Sequence, residues 1–108
     1  MPFDPDLAER LRRVVKRRTG FTEKRMFGGI CWMLRGNMLG GVEVGRFMFR
    51  VGPALEAEAL SRPGASPMDI TGRPMRGFVW VDAAAAPEPE LRRWVDLATR
   101  FVGKLPPK

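Results

Sequence analysis

The chain has 108 residues, 44% apolar and 29% charged, with nineteen basic against twelve acidic side chains and a net charge of +7. A length of that order supports one core burying roughly 65% of the unfolded surface, so the expectation is one domain over residues 1–108. Histidine is absent and cysteine occurs once, at Cys31, which excludes Ser-His-Asp and Cys-His catalysis, histidine or four-cysteine zinc sites, iron–sulfur cages and an intrachain disulfide.

A lone cysteine fits a reducing compartment. The first residues include Pro2, Asp4, Pro5 and Asp6 and hold no unbroken apolar stretch of signal-peptide length. No window approaches the roughly 20 apolar residues that span a bilayer. A cytoplasmic protein without membrane partners is expected. The acids are scattered, with no calcium-loop spacing, so no metal or cofactor is expected either.

In chain order, Asp4 is a good helix N-cap and Pro5 suits the first helical position. Leu7, Leu11, Val14 and Val15 then recur at helical spacing, which predicts an amphipathic helix ending near Thr19-Gly20. Its outward face collects Arg10, Arg12, Arg13, Lys16 and Arg17, the densest positive patch in the chain. From Phe21 to Val51 short apolar runs broken by glycine predict an antiparallel meander: 21–26, 30–34, 38–44 and 46–51. Arg35-Gly36-Asn37 and Gly45 separate the later runs as tight turns. Gly28-Gly29 and Gly40-Gly41 signal bulges or close backbone approach. Pro53 to Leu60 reads as a second helix, stopped by Arg62-Pro63-Gly64. Residues 65–77 read as a long connection and Phe78 to Val81 as a strand. Pro87 to Gly103 carries the helical stripe Leu91, Trp94, Val95, Ala98, Phe101 and Val102.

The order helix, three or four strands, helix, strand, helix predicts an α+β two-layer sandwich, its antiparallel sheet of about five strands covered by helices. If one sheet face stays uncovered, alternate residues such as Trp32, Leu34 and Phe47 are expected to point outward as an apolar patch.

The glycines after Lys24-Arg25-Met26-Phe27 match neither a Walker loop nor a dinucleotide fingerprint. Cys31, between Ile30 and Trp32, reads as a small hydrophobe rather than a nucleophile. Arg73 and Arg76, in the glycine-bounded stretch that also holds Met75, either hold an anion with forked donors or sit in a structured turn. Seven methionines offer core filling or an adaptable partner surface. Of the acids, Glu23, Asp69 and Asp82 alone lie near these loops. No paired-carboxylate signature emerges, so a non-enzymatic chain is expected.

The chain resembles the TfoX N-terminal domain family, the first half of bacterial competence regulators also called Sxy. The resemblance is carried by Thr22-Glu23-Lys24-Arg25-Met26-Phe27-Gly28-Gly29, Gly36-Asn37-Met38, Arg50-Val51-Gly52-Pro53, Pro67-Met68-Asp69, Thr71-Gly72-Arg73-Pro74-Met75, Gly77-Phe78-Val79 and Leu105-Pro106-Pro107-Lys108. It implies a two-layer fold similar to secretion chaperones and a role in transcriptional regulation of competence genes alongside the cyclic-AMP receptor protein. It brings no catalytic residues, and the chain is expected to lack the C-terminal helical domain of the full regulators.

Two functional expectations follow. The first is a regulatory protein-interaction domain engaging a protein partner, such as transcription machinery, or a second copy. The candidate surface for either expectation comprises Arg13, Arg17, Lys24, Arg25, Met26, Phe27, Gly28, Gly29, Arg73, Met75 and Arg76. The second is a nucleic-acid-binding module using the first helix with Lys24 and Arg25, consistent with the net charge of +7.

Overall fold

A computed structural model describes residues 4–26, 28–70 and 72–108, and of Met26, Ile70 and Pro74 the backbone alone. Helix α1 spans Pro5–Val15. Strands β1 (Phe21–Met26), β2 (Gly29–Leu34), β3 (Asn37–Val42) and β4 (Arg46–Arg50) follow, then a 3-10 turn (Pro53–Leu55) and the short helix α2 (Glu56–Leu60). Strands β5 (Ala65–Ile70) and β6 (Arg73–Asp82) form a hairpin, and α3 (Glu88–Val102) comes last. The six strands make one antiparallel sheet in the order β1-β2-β3-β4-β6-β5.

Helix α1 starts as its sequence dictates, with the Asp4 carboxylate accepting from the Asp6 N–H at 2.9 Å. It buries Leu7, Ala8, Leu11, Val14 and Val15. The stripe of α3 buries Leu91, Trp94, Val95, Leu97, Ala98 and Val102. Both helices join the core side chains of the sheet, and α2 adds Ala59 to the same cluster. That places the helices in one layer, as a two-layer α+β sandwich requires.

Register fixes which side chains meet the helices. Trp32, Gly40, Phe49 and Val79 form one row across four strands. Trp32, Phe49 and Val79 belong to the helix-covered core, and Phe49 stacks on Trp94 of α3 with ring centroids 5.8 Å apart. Gly40 lies between the two large aromatics because a Cβ there would come within 2.5 Å of the Met48 carbonyl oxygen and 3.0 Å of the Phe49 ring. The β2–β3 register shifts beside it, at Trp32/Met33, so the bulge expected near Gly40-Gly41 is present.

The outward patch expected from Trp32, Leu34 and Phe47 is not there. Those residues are 1%, 3% and 0% exposed and face the helices. The next row, Cys31, Gly41, Met48 and Trp80, occupies the opposite face. Strand β2 is apolar in both phases, which leaves its alternation silent about which phase faces the core.

Residues 65–77 also depart from expectation. They are not a connection but β5 and the first half of β6, which makes six strands rather than about five. Pro67 stands in β5, an edge strand, where its missing N–H costs no ladder bond. Helix α1 ends at Val15, before the predicted Thr19-Gly20.

Candidate functional site

The structure divides the predicted surface among several places. Arg10 leaves the outward stripe of α1: its guanidinium donates to the carbonyls of Ala83 and Ala86 and lies 5.6 Å from the Phe47 ring centroid. Arg12 is also committed, donating to Glu23 of β1 through Nε at 2.6 Å and Nη2 at 3.0 Å, and to Glu9 at 2.7 Å. Arg13, Lys16 and Arg17 remain on the stripe and line a cleft with Arg18 and Arg92.

Lys24 and Arg25 do not extend that stripe as one surface. Lys24 pairs with Cys31 and therefore projects to the helix-free side, whereas Arg25 pairs with Ile30 and shares the Glu23 side. Gly28 lies in the β1–β2 turn and Gly29 opens β2; Phe27 lies outside the described residues, as does the side chain of Met26. Arg76 donates to Glu56 Oε1 at 3.3 Å, and the same oxygen accepts the Gly77 N–H at 2.6 Å; Arg76 stands within strand β6 rather than in the turn expected as the alternative to an anion site. Arg73 is exposed beside the β5–β6 turn. Met75 lines a groove together with Gly29 of the predicted set and with residues outside that set.

Hydrogen bonding from Glu23, then Glu9, raises the Arg12 pKa further above its ordinary value. Hydrogen bonding from Arg12 holds the Glu23 carboxyl below its ordinary 4.5. A depressed carboxylate stabilises the fold above its unfolded pKa and loses that contribution as pH falls through the lowered value. The Glu23 side chain is 37% exposed, so solvent screening keeps the effect small. Glu23→Gln is expected to cost about 0.5–1 kcal/mol near pH 7 and nothing measurable near pH 3, read by urea unfolding at both.

The groove occupies the helix-free sheet face, with a volume of about 560 Å³. Gly41 exposes it: a Cβ there would lie 2.8 Å from the Ile30 carbonyl oxygen and 3.4 Å from Cys31 Sγ, so β3 sends no side chain into the row between Cys31 and Met48. Met38, Met48, Met68 and Met75 bring flexible thioethers to its walls, with Phe78 and Trp80 from β6. The Arg46 guanidinium stacks 3.6 Å from the Trp80 ring centroid while Nε donates to Glu43 at 2.9 Å. Arg50, four residues on, lies 5.7 Å from the Phe78 ring centroid and 5.4 Å from that of Phe101 in α3.

This arrangement can bind apolar groups beside the Arg46–Glu43 pair, with Asp69 a further charge on the lining. Burial pushes the Cys31 thiol above its ordinary pKa, opposite to what a nucleophile needs. Among the described residues no group of three His, Cys, Asp or Glu side chains is placed to hold a metal.

A family model described as the TfoX N-terminal domain matches residues 13–102. The chain belongs to that family. No curated protein and no solved structure gives a significant match. The TfoX N-terminal domain family is not a known enzyme family, and among the described residues no helix is long and apolar enough to cross a membrane.

Several motifs of this TfoX N-terminal domain serve as scaffold. Gly36-Asn37 and Leu105 to Lys108 meet at one junction: Asn37 Nδ2 donates to the Pro106 carbonyl and the Lys108 N–H to the Arg35 carbonyl, both at 2.9 Å. Asn37 is the buried polar residue in the described core. Val51, Gly52 and Gly77 form a second junction, where the N–H groups of Val51 and Gly52 both donate to the Gly77 carbonyl at 2.8 and 3.0 Å. The motif glycines Gly36, Gly52 and Gly77 thus hold turns and crossings, whereas the groove is built by Met38, Met48, Met68, Phe78 and Trp80, with Gly29 at its edge. Methionine abundance pointed to the methionines among them, and Met38, Met68 and Phe78 stand in motifs of the resemblance.

Proposed function

We propose that this TfoX N-terminal domain is a non-enzymatic, cytoplasmic regulatory domain that binds a protein partner through the groove on its helix-free sheet face, in the transcriptional control of competence. The observation that supports this reading is the grouping of four methionines with Phe78 and Trp80 around Gly41 of β3. Methionine walls repack around irregular apolar anchors, and partly exposed aromatics backed by arginine have the composition of interface hot spots.

The lining defines the partner's chemistry. Arg46 stacks on Trp80 and is paired with Glu43, and Asp69 also lines the groove, while the chain as a whole carries +7. The occupant is an amphipathic segment whose apolar anchors enter the groove, on a partner steered by the net field.

The cyclic-AMP receptor protein, loaded with its nucleotide, is the partner to titrate first. Trp80→Ala removes a partly exposed wall residue outside the helix-covered core. The expected result in calorimetry is at least about tenfold weaker binding with a thermal midpoint within a few degrees of the parent. Unchanged affinity in the variant, or no binding by the parent domain, contradicts the reading.

A further inference from the structure

A second surface is built by charge rather than apolar contact. Between the C-terminal end of α1 and the first turns of α3 lies a cleft of about 320 Å³, lined by Arg13, Lys16, Arg17, Arg18 and Arg92 around the single carboxylate of Glu88. Arg92 donates to Glu88 at 2.6 Å, and Arg13 approaches it at 3.9 Å. Arg18 pairs with Asp96 at 2.7 Å, outside the lining. Among the described residues neither Lys16 nor Arg17 has an ion-pair partner.

Five like charges held this close repel one another, and two exposed carboxylates, Glu88 within the cleft and Asp96 beside it, offset them incompletely. Glu88 occupies the position an external anion would take between Arg13 and Arg92. Its side chain is 45% exposed, so its ion pairs are weak enough to exchange for a stronger anion. Four of the five cations are arginines, whose forked donors match phosphate oxygens.

The surroundings discriminate among phosphate sources. No aromatic side chain lines the cleft, so it offers no stacking platform for single-stranded bases. Val14, the apolar residue of the lining, is buried, and among the described residues the exposed large apolar side chain is Val44, in the β3–β4 turn, so the cleft presents no exposed apolar residue to enter a bilayer. We propose that the α1–α3 cleft binds the phosphodiester backbone of duplex nucleic acid without base readout, and that Glu88 competes with the phosphates for Arg13 and Arg92. This proposal stands apart from the groove and survives its failure.

The test is fluorescence anisotropy of a short labelled DNA duplex over a range of salt, with inorganic phosphate as competitor and anionic phospholipid vesicles as a separate arm. Engagement of about three phosphates predicts a slope near −3 for log affinity against log salt. The double reversal Arg13→Glu with Arg17→Glu is expected to weaken binding at least about tenfold and flatten the slope. Glu88→Gln is expected to tighten it several-fold. Arg73→Glu, on the distant β5–β6 hairpin, is expected to change it less than about twofold, which separates the cleft from net charge; circular dichroism confirms that each variant is folded.

Salt-insensitive binding, no binding, equal losses from Arg73→Glu and the double reversal, displacement of duplex by millimolar phosphate, or preference for vesicles would overturn the proposal. Unchanged or weaker binding by Glu88→Gln would overturn the competing role of that carboxylate.

Discussion

Gly52→Ala is expected to destabilise the domain by about 2–5 kcal/mol, a large share of the roughly 5–15 kcal/mol that holds a domain of this size together. Gly52 has φ 84° and ψ 157°, a region reserved for glycine, and adopting it with a side chain costs about 1–3 kcal/mol. A Cβ at this position would also drive into the Phe101 ring of α3. The backbone cannot retreat, because the N–H groups of Val51 and Gly52 are both tied to Gly77. Relief therefore requires breaking that junction or shifting the end of α3. Urea unfolding reads the loss, and a change below about 1 kcal/mol would show that the junction is looser than its geometry implies.

Phe49→Ala is expected to cost about 3–5 kcal/mol. The ring is fully buried, stacks on Trp94 with planes 10° apart and lies 6.2 Å from the Phe47 ring. Its neighbour in the row, Gly40, has no side chain to move into the space. The cavity therefore stays open, and the variant loses both transfer free energy and packing. A partly exposed residue of the helix-free face gives the contrast: Met33→Ala is expected to cost under about 1.5 kcal/mol. Equal losses at the two positions would contradict the assignment of a covered and an open sheet face.

What could be read before the structure follows from the physics of each segment. Helices α1 and α3 were legible because their apolar residues recur at a period only a helix satisfies, with Asp4 and Pro5 marking one start. The four-strand meander was legible from glycine-bounded apolar runs. Strand β5 was not: Ser66, Pro67 and Asp69 have turn chemistry, and they form a strand because β6 supplies a partner at the sheet edge. The open face was misassigned because Ile30 to Leu34 are apolar in both phases, so nothing local distinguishes the core side.

The candidate surfaces were legible in part. Arg13 and Arg17 announce themselves by helical spacing, but Arg92 joins them only through the packing of α3 on α1. Lys24 is near that stripe in sequence, yet strand alternation sends it to the other side of the sheet. The groove needs Cys31, Gly41, Met48 and Trp80 in one register row, a relation among separate strands that no single segment encodes.

The central claim is that the helix-free sheet face is the binding surface, and its methionines supply the probes. Methyl-labelled methionine NMR, with assignments from single substitutions, would follow the domain as the nucleotide-loaded cyclic-AMP receptor protein is added. The account predicts that the methyls of Met38, Met48, Met68 and Met75, which share the groove, shift or broaden together, while the backbone amides of α1 and α3 stay in place. Perturbation confined to the helical layer, with the four groove methyls unmoved, would contradict it.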